Sequence, residues 1–207
     1  MTGVDLHDQA IENARTLAHA RGLAGRATFE RANAEAALPF PDAHFDAVTC
    51  IDAINHLPDR PRVVADWTRL LKPGGRILFT DPVVVTGPLT SAELASRSAI
   101  GFFLFVPPGF DDHVIAACGL RLIRSEDTTA QMGVMADRRG SARAARRAAV
   151  LEVEDERTYE AEQEFFRTVA RLAREKRLSR FLYVAERSHL TSEHPPADSR
   201  LPHRPTS

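Results

Sequence analysis

The first 81 residues alternate between two hydrophobic patterns, and this alternation restricts the fold more than any other feature. Met1–Asp5, Ala27–Arg31, Asp46–Ile51 (DAVTCI) and Arg76–Asp81 (RILFTD) read as strands. The last two are apolar nearly throughout rather than at every second position, as expected for a sheet covered on both sides. Between the strands, apolar residues recur at helical spacing: Ile11, Ala14, Leu17 and Ala18, then Val63, Val64, Trp67, Leu70 and Leu71. Gly22 is a stop for the first helix. Asp59 can cap the second, with Pro61 in its first turn, and Lys72-Pro73-Gly74-Gly75 ends it. Strand–helix alternation predicts an α/β fold, a mostly parallel sheet with helices on both faces.

The second half is less regular. Helices are expected over Ser91–Ile100 and Pro108–Cys118, with Gly119 as a stop, then a strand over Leu120–Ser125. A long charged helical region is expected from about Ser141 to Lys176, its stripe including Val150, Val153, Phe165, Phe166, Val169 and Leu172. Phe181–Ala185 reads as a last strand. Arg138, Arg139, Arg143, Arg146 and Arg147 precede the acidic stretch Glu152–Glu156, a pattern of ion pairs on a solvated helix. One domain over residues 1–187 is expected, and the Pro-, Ser- and His-rich remainder, 188–207, is expected to be disordered.

Composition excludes several classes. The 207 residues carry a formal net charge of -1, so no overall basic field draws in nucleic acid or an acidic membrane. Cys50 and Cys118 stand far apart with no cysteine–histidine cluster, so the reading is no metal, no disulfide framework and two buried, reduced thiols. The longest apolar run, near Ile100–Val106, is far below the roughly 20 residues of a spanning helix. The opening MTGVDLHDQA does not resemble a signal peptide, and a cytoplasmic location is expected.

Three segments carry a resemblance in their order: VDLHDQAIENAR, then ANAEAALPF followed by FDAVTCIDAINHLPDR, then LLKPGGRILFTD. Together they resemble the class I S-adenosylmethionine-dependent methyltransferases, in particular the small-molecule branch with the ubiquinone/menaquinone-biosynthesis and sarcosine/dimethylglycine enzymes. The resemblance spans roughly residues 3–126. It implies a Rossmann-like fold, S-adenosylmethionine as cofactor, and a small-molecule acceptor, with no nucleic acid or membrane partner.

The resemblance also assigns residues. Asp5, at the carboxyl end of the family's second strand, would accept from the ribose hydroxyls, with Leu6 beside it; the plain alternative is a helix cap. Asn33 and Ala34 match the family's adenine corner, against an ordinary turn asparagine. Ile51 borders the methyl donor. Asp52 and His56 are the candidate catalytic groups, and Asn55, Phe102, Phe103 and Phe105 the candidate acceptor pocket. A backbone-bonded loop histidine and an aromatic core staple are the competing readings for His56 and the phenylalanines.

The family's first strand and its glycine-rich turn are missing from the expected order. With Asp5 as the ribose acid, that turn would precede Met1, since it lies roughly 20 residues earlier. The expectation is a domain incomplete at its N-terminus. Interior strand edges would be left unpaired unless the second and fourth strands of the family order pair directly or another chain fills the gap. The chain is therefore expected to bind the cofactor weakly or not at all. The alternatives are a non-catalytic remnant or interaction protein that keeps the fold, and a nicotinamide-dependent dehydrogenase, which the LLKPGGRILFTD and FDAVTCIDAINHLPD segments fit less well.

Overall fold

The computed structural model describes residues 1–99 and 101–189. Its first unit is a strand–helix–strand: β1 (Thr2–Asp5), α1 (Asp8–Ala20) and β2 (Thr28–Arg31), with β1 and β2 parallel from Thr2↔Thr28 to Asp5↔Arg31. Gly22 leaves α1 at a φ of 67°, the left-handed turn its position predicts. The apolar stripe of α1 is only partly used: Ile11 and Ala18 are buried, while Leu17 is 51% exposed.

β3 (Phe45–Ile51) follows, then a single 3-10 turn over Ile54–His56, α2 (Arg60–Leu70) and β4 (Leu71–Val85). The Asp59 carboxylate accepts from the Arg62 N–H at 3.2 Å, capping α2 as expected. Val63, Val64, Trp67, Leu70 and Leu71 are all buried, and they pack with Ile77, Phe79 and Tyr183 into the largest core cluster. β4 extends well beyond RILFTD. Pro82, which has no N–H, sits where β4's register with its neighbour shifts between Asp81 and Val84.

The second half contains α3 (Ser91–Arg97), α4 (Phe110–Ala117), β5 (Leu120–Asp127), α5 (Thr129–Ala145), α6 (Arg147–Val150), α7 (Glu156–Arg174) and β6 (Leu178–Arg187). The long charged helix expected over 141–176 is a correction: helix begins at Thr129 and breaks after Val150, and Asp155 starts α7 by accepting from the Thr158 N–H at 2.7 Å. Val153, assigned to the apolar stripe, lies in the break and is 86% exposed. Helical spacing cannot detect such a break, because alanine- and arginine-rich residues on both sides favour helix equally. The expected ion pairs are present, Arg143 with Glu154 and Glu162, and Arg147 with Glu156.

The strands form two ladders, β1-β2 and β3-β4-β6-β5. Two pairings are parallel, β1-β2 and β3-β4, and two antiparallel, β4-β6 and β5-β6, so the sheet is mixed. β1 and β3 do not pair with each other, which rules out direct closure between them in this structure. β3, expected to be covered on both sides, is half exposed along its length, and Ile51 at its end is 56% exposed. Cys50 and Cys118 are free thiols, half-buried rather than buried. Most of the tail expected to be disordered, residues 190–207, lies outside the described residues.

Candidate functional site

The polar residues of interest collect where strands end. Asp5 closes β1, and its backbone carbonyl accepts from the Ala32 N–H at 3.0 Å, which fixes the residues after β2 beside it. Asn33 follows one residue later, so the ribose and adenine candidates form one corner. Both are exposed, and each side chain also accepts a local backbone bond. One Asp5 carboxylate oxygen accepts from the His7 N–H at 2.8 Å, and the Asn33 side-chain oxygen accepts from the Glu35 N–H at 2.9 Å. The helix-cap reading of Asp5 is not met in full, since His7 is the capping residue of α1. Leu6 is 52% exposed and Ala34 half-buried.

A hollow of about 330 Å³ between the turn after β2 and α2 flanks this corner. Glu35, Ala37, Arg62 and Asp66 line it, and none of the expected cofactor residues does.

The end of β3 carries the second group. Asp52 has a φ of 51°, a left-handed conformation that an aspartate tolerates better than most residues. One carboxylate oxygen, Oδ1, accepts from both the Thr80 hydroxyl at 2.7 Å and the Arg180 Nε at 2.8 Å, and the Asp52 N–H donates to the Thr80 hydroxyl at 2.8 Å. A carboxylate held in this way is oriented and balances the Arg180 charge.

His56 differs. Its Nδ1 is 2.6 Å from the Phe102 carbonyl oxygen, which can only accept. Nδ1 is therefore the protonated nitrogen, and Nε2 keeps the lone pair. The ring also packs on Phe103, with centroids 4.7 Å apart. Histidine 56 is thus backbone-bonded, as the competing reading had it, and oriented at the same time.

The aromatic candidates separate. Phe102 is 60% exposed, whereas Phe103 and Phe105 turn inward, 6.5 Å apart, and Phe103 lies 6.4 Å from Phe165 of α7. Asn55 is fully buried. Its carbonyl accepts from the Leu104 N–H at 2.8 Å, while neither atom of its side-chain amide has a partner. The segment 102–104 is thereby tied to the turn after β3.

Sequence reasoning missed the group beneath. Arg60, fully buried at the start of α2, donates to Asp81 at 2.6 Å, to Asp111 at 3.0 Å and to the Leu104 carbonyl at 2.9 Å. Burial and the neighbouring Asp81 push the Asp111 carboxyl well above its ordinary range. Arg97, the last residue of α3, is 4% exposed with its guanidinium carbon 4.3 Å from the Phe103 ring centre and 4.6 Å from that of Phe165. The acid at the end of RILFTD was a visible signal for Asp81. Nothing in AELASRSAI marks Arg97 as buried.

Glycines at positive φ occur at 22, 74, 101, 109 and 119. Each lies at a helix end, before α4 or in the turn opening β4. Among the described residues none follows the carboxyl end of a parallel strand, so the glycine-rich turn is not found elsewhere in the fold.

Residues 1–79 match the profile of the methyltransferase domain family. A ubiquinone/menaquinone biosynthesis C-methyltransferase of Shewanella sp. (strain ANA-3) is 39% identical over 77 residues, 37% of this chain and 30% of that protein. The chain's aligned stretch spans about a third of the length of the first curated relatives it matches. Among solved structures, a Galdieria sulphuraria protein assigned to the sarcosine dimethylglycine methyltransferases superposes with a TM-score of 0.80 at 18% identity, covering 91% of this chain and 69% of the other. A Haemonchus contortus phosphoethanolamine N-methyltransferase in complex with phosphomonomethylethanolamine and S-adenosylhomocysteine gives 0.78 at 20% identity, covering 90% and 43%. The fold is thus the Rossmann-like fold of these methyltransferases, as the resemblance implied.

Proposed function

We propose that this chain, whose first 79 residues match the methyltransferase domain family, serves S-adenosylmethionine-dependent methyl transfer to a small-molecule acceptor. The observation that carries this reading is the pairing of Asp5 and Asn33 into one exposed corner at the carboxyl ends of two parallel strands, where open α/β sheets bind nucleotides. Asp5 keeps one carboxylate oxygen free for ribose hydroxyls, since only Oδ1 is used by His7. Asn33 stands beside it for the adenine amine, with half-buried Ala34 as the small neighbour that lets a ring approach. Leu6 offers exposed apolar surface next to these groups, and Ile51 is exposed at the end of β3.

When bound, the cofactor supplies an electrophilic methyl group on a sulfonium. Little covalent chemistry is then asked of the protein beyond holding the acceptor in line. Asp52, fixed by Thr80 and Arg180, places a negative charge at the strand end. His56, with Nδ1 spent on Phe102, presents the Nε2 lone pair to take a proton from an N–H or O–H acceptor. Phe103, Phe105 and Asn55 wall the acceptor side. A cytoplasmic location and the small-molecule acceptor belong to this same reading; among the described residues no helix is long and apolar enough to cross a membrane.

Titration of S-adenosylhomocysteine into the labelled chain by NMR should shift the amides around Asp5 and Asn33 at high ligand concentration. Asp5→Ala should abolish those shifts. Shifts that are absent from the wild type, or that survive Asp5→Ala, contradict the site.

A further inference from the structure

Among the described residues, Arg97 is a buried cation without an ion-pair partner. Its Nε and Nη1 are inaccessible and unbonded, and no ion pair reaches it among the described residues. Desolvation lowers the guanidinium to about 10, which still leaves it charged near neutrality, and Asp81 and Asp52 act on it only from a distance. Phe103 and Phe165 sandwich the charge, yet two ring faces satisfy no N–H. A cation removed from water in this way is costly unless an anion meets it.

The position is not arbitrary. α3 is locked in place by a capping box between Thr90 and Glu93, whose carboxylate is in turn gripped by Arg171 and Arg177. Arg97 is thus presented from a fixed helix. On the other side of Phe103 stands His56, and one residue further the Leu104 N–H is bound by Asn55, whose buried side-chain amide is also unpaired.

Charge counting points the same way. Arg60, Arg97 and Arg180 face Asp52, Asp81 and Asp111. Burial and Asp81 push Asp111 toward its neutral form, which lessens the negative charge set against the three arginines.

We propose that Arg97 is the anion receptor of the acceptor site: the methyl acceptor carries a carboxylate or phosphate that pairs with Arg97 between Phe103 and Phe165, while the Asn55 amide bonds a neighbouring polar group. This rests on the methyl-transfer reading for the word acceptor, but anion binding is measurable without the cofactor.

The test is thermal unfolding of the whole chain with potassium phosphate, potassium acetate or potassium phenylacetate, each against potassium chloride at matched ionic strength. The wild type should be stabilised by one class of anion, phosphate or carboxylate, and that class identifies the acceptor's charged group. Arg97→Met should be at least as stable as wild type in chloride, because an unpaired buried charge has been replaced by an apolar side chain of similar length. It should lose the anion response, with apparent affinity reduced roughly 30-fold or more. Arg97→Lys should recover part of it. The proposal is overturned by an absent anion response in the wild type, by a response preserved in Arg97→Met, or by Arg97→Met being clearly less stable in chloride. Loss of S-adenosylhomocysteine shifts with the anion response intact would instead defeat the methyl-transfer reading and leave the anion site standing.

Discussion

Replacing Arg60 by methionine tests whether the buried ion cluster holds the two halves of the site together. Arg60 and Asp81 are fully buried and Asp111 is 1% exposed, so solvent cannot take over any lost contact. Arg60→Met deletes two charge-assisted bonds, of 2.6 and 3.0 Å, and the 2.9 Å bond to the Leu104 carbonyl. Asp81 keeps one donor, the Val83 N–H at 3.0 Å. Two carboxyl groups are then buried side by side with no cation. Breaking such a pair from one side costs about 3–5 kcal/mol, and with a urea slope of about 2 kcal/mol/M the midpoint should fall by about 2 M.

Asp111→Asn is the informative companion. Burial and Asp81 already favour the uncharged form of Asp111, so the amide resembles it and should cost only about 1 kcal/mol. The raised carboxyl also fixes a sign. Its stabilising contribution is complete below its ordinary value of 3.8 and declines as pH rises through the higher folded value, so Asp111→Asn should flatten the loss of stability with rising pH. Urea unfolding followed by circular dichroism measures both variants against the wild type. A midpoint shift for Arg60→Met below about 0.5 M, or equal costs for the two substitutions, would refute the reasoning.

Two further substitutions probe the fixed points around the site. Thr90, Arg171 and Arg177 hold the Glu93 carboxyl down at about 2, so its contribution is present above its ordinary value of 4.5 and disappears as pH falls toward 2. Glu93→Gln should therefore be less stable than wild type at pH 7 and converge with it in acid; parallel acid-unfolding curves would rule this out. At position 52, alanine and glycine both remove the carboxylate, but only alanine must hold a φ of 51° with a Cβ. Asp52→Gly should be more stable than Asp52→Ala by about 1 kcal/mol in urea unfolding, and equal stabilities would remove the case for backbone strain there.

Residues whose roles are local were legible in the sequence. Gly22, Asp59 and the stripe from Val63 to Leu71 act through neighbours a few positions away, and each does what its spacing implies. The corner of Asp5 and Asn33 was legible for a different reason. A parallel βαβ unit brings the ends of its two strands together, so residues 28 apart in sequence become adjacent once the unit is recognised. Arg60, Asp111 and Arg97 were not legible. Arginine and aspartate next to a helix start or end read as solvated termini, and their burial depends on where α3, α4 and the 102–105 segment settle over the ends of β3 and β4. The break at 146–155 was hidden for the opposite reason, since its composition is that of a good helix and a tertiary turn overrides it.

The two ladders should also differ in how firmly they are held, and this bears on the cofactor corner more than on the acceptor side. β4 pairs along both edges, and β6 likewise, with Ile77, Phe79, Leu178 and Ala185 buried completely. The ion cluster and the bonds from Arg180 and Arg187 add side-chain ties across that body. β1 and β2 share one four-residue ladder, and their helix buries only Ile11 and Ala18. Backbone pairing without a packed face is the arrangement that opens locally at low free-energy cost. Native-state hydrogen exchange should therefore release the amides of β1 and β2 well before those of β4 and β6, and S-adenosylhomocysteine should slow the first group selectively. Equal protection of the two ladders would mean that the contacts of Val4 and Ala32 with the main core hold the corner as tightly as a full sheet does.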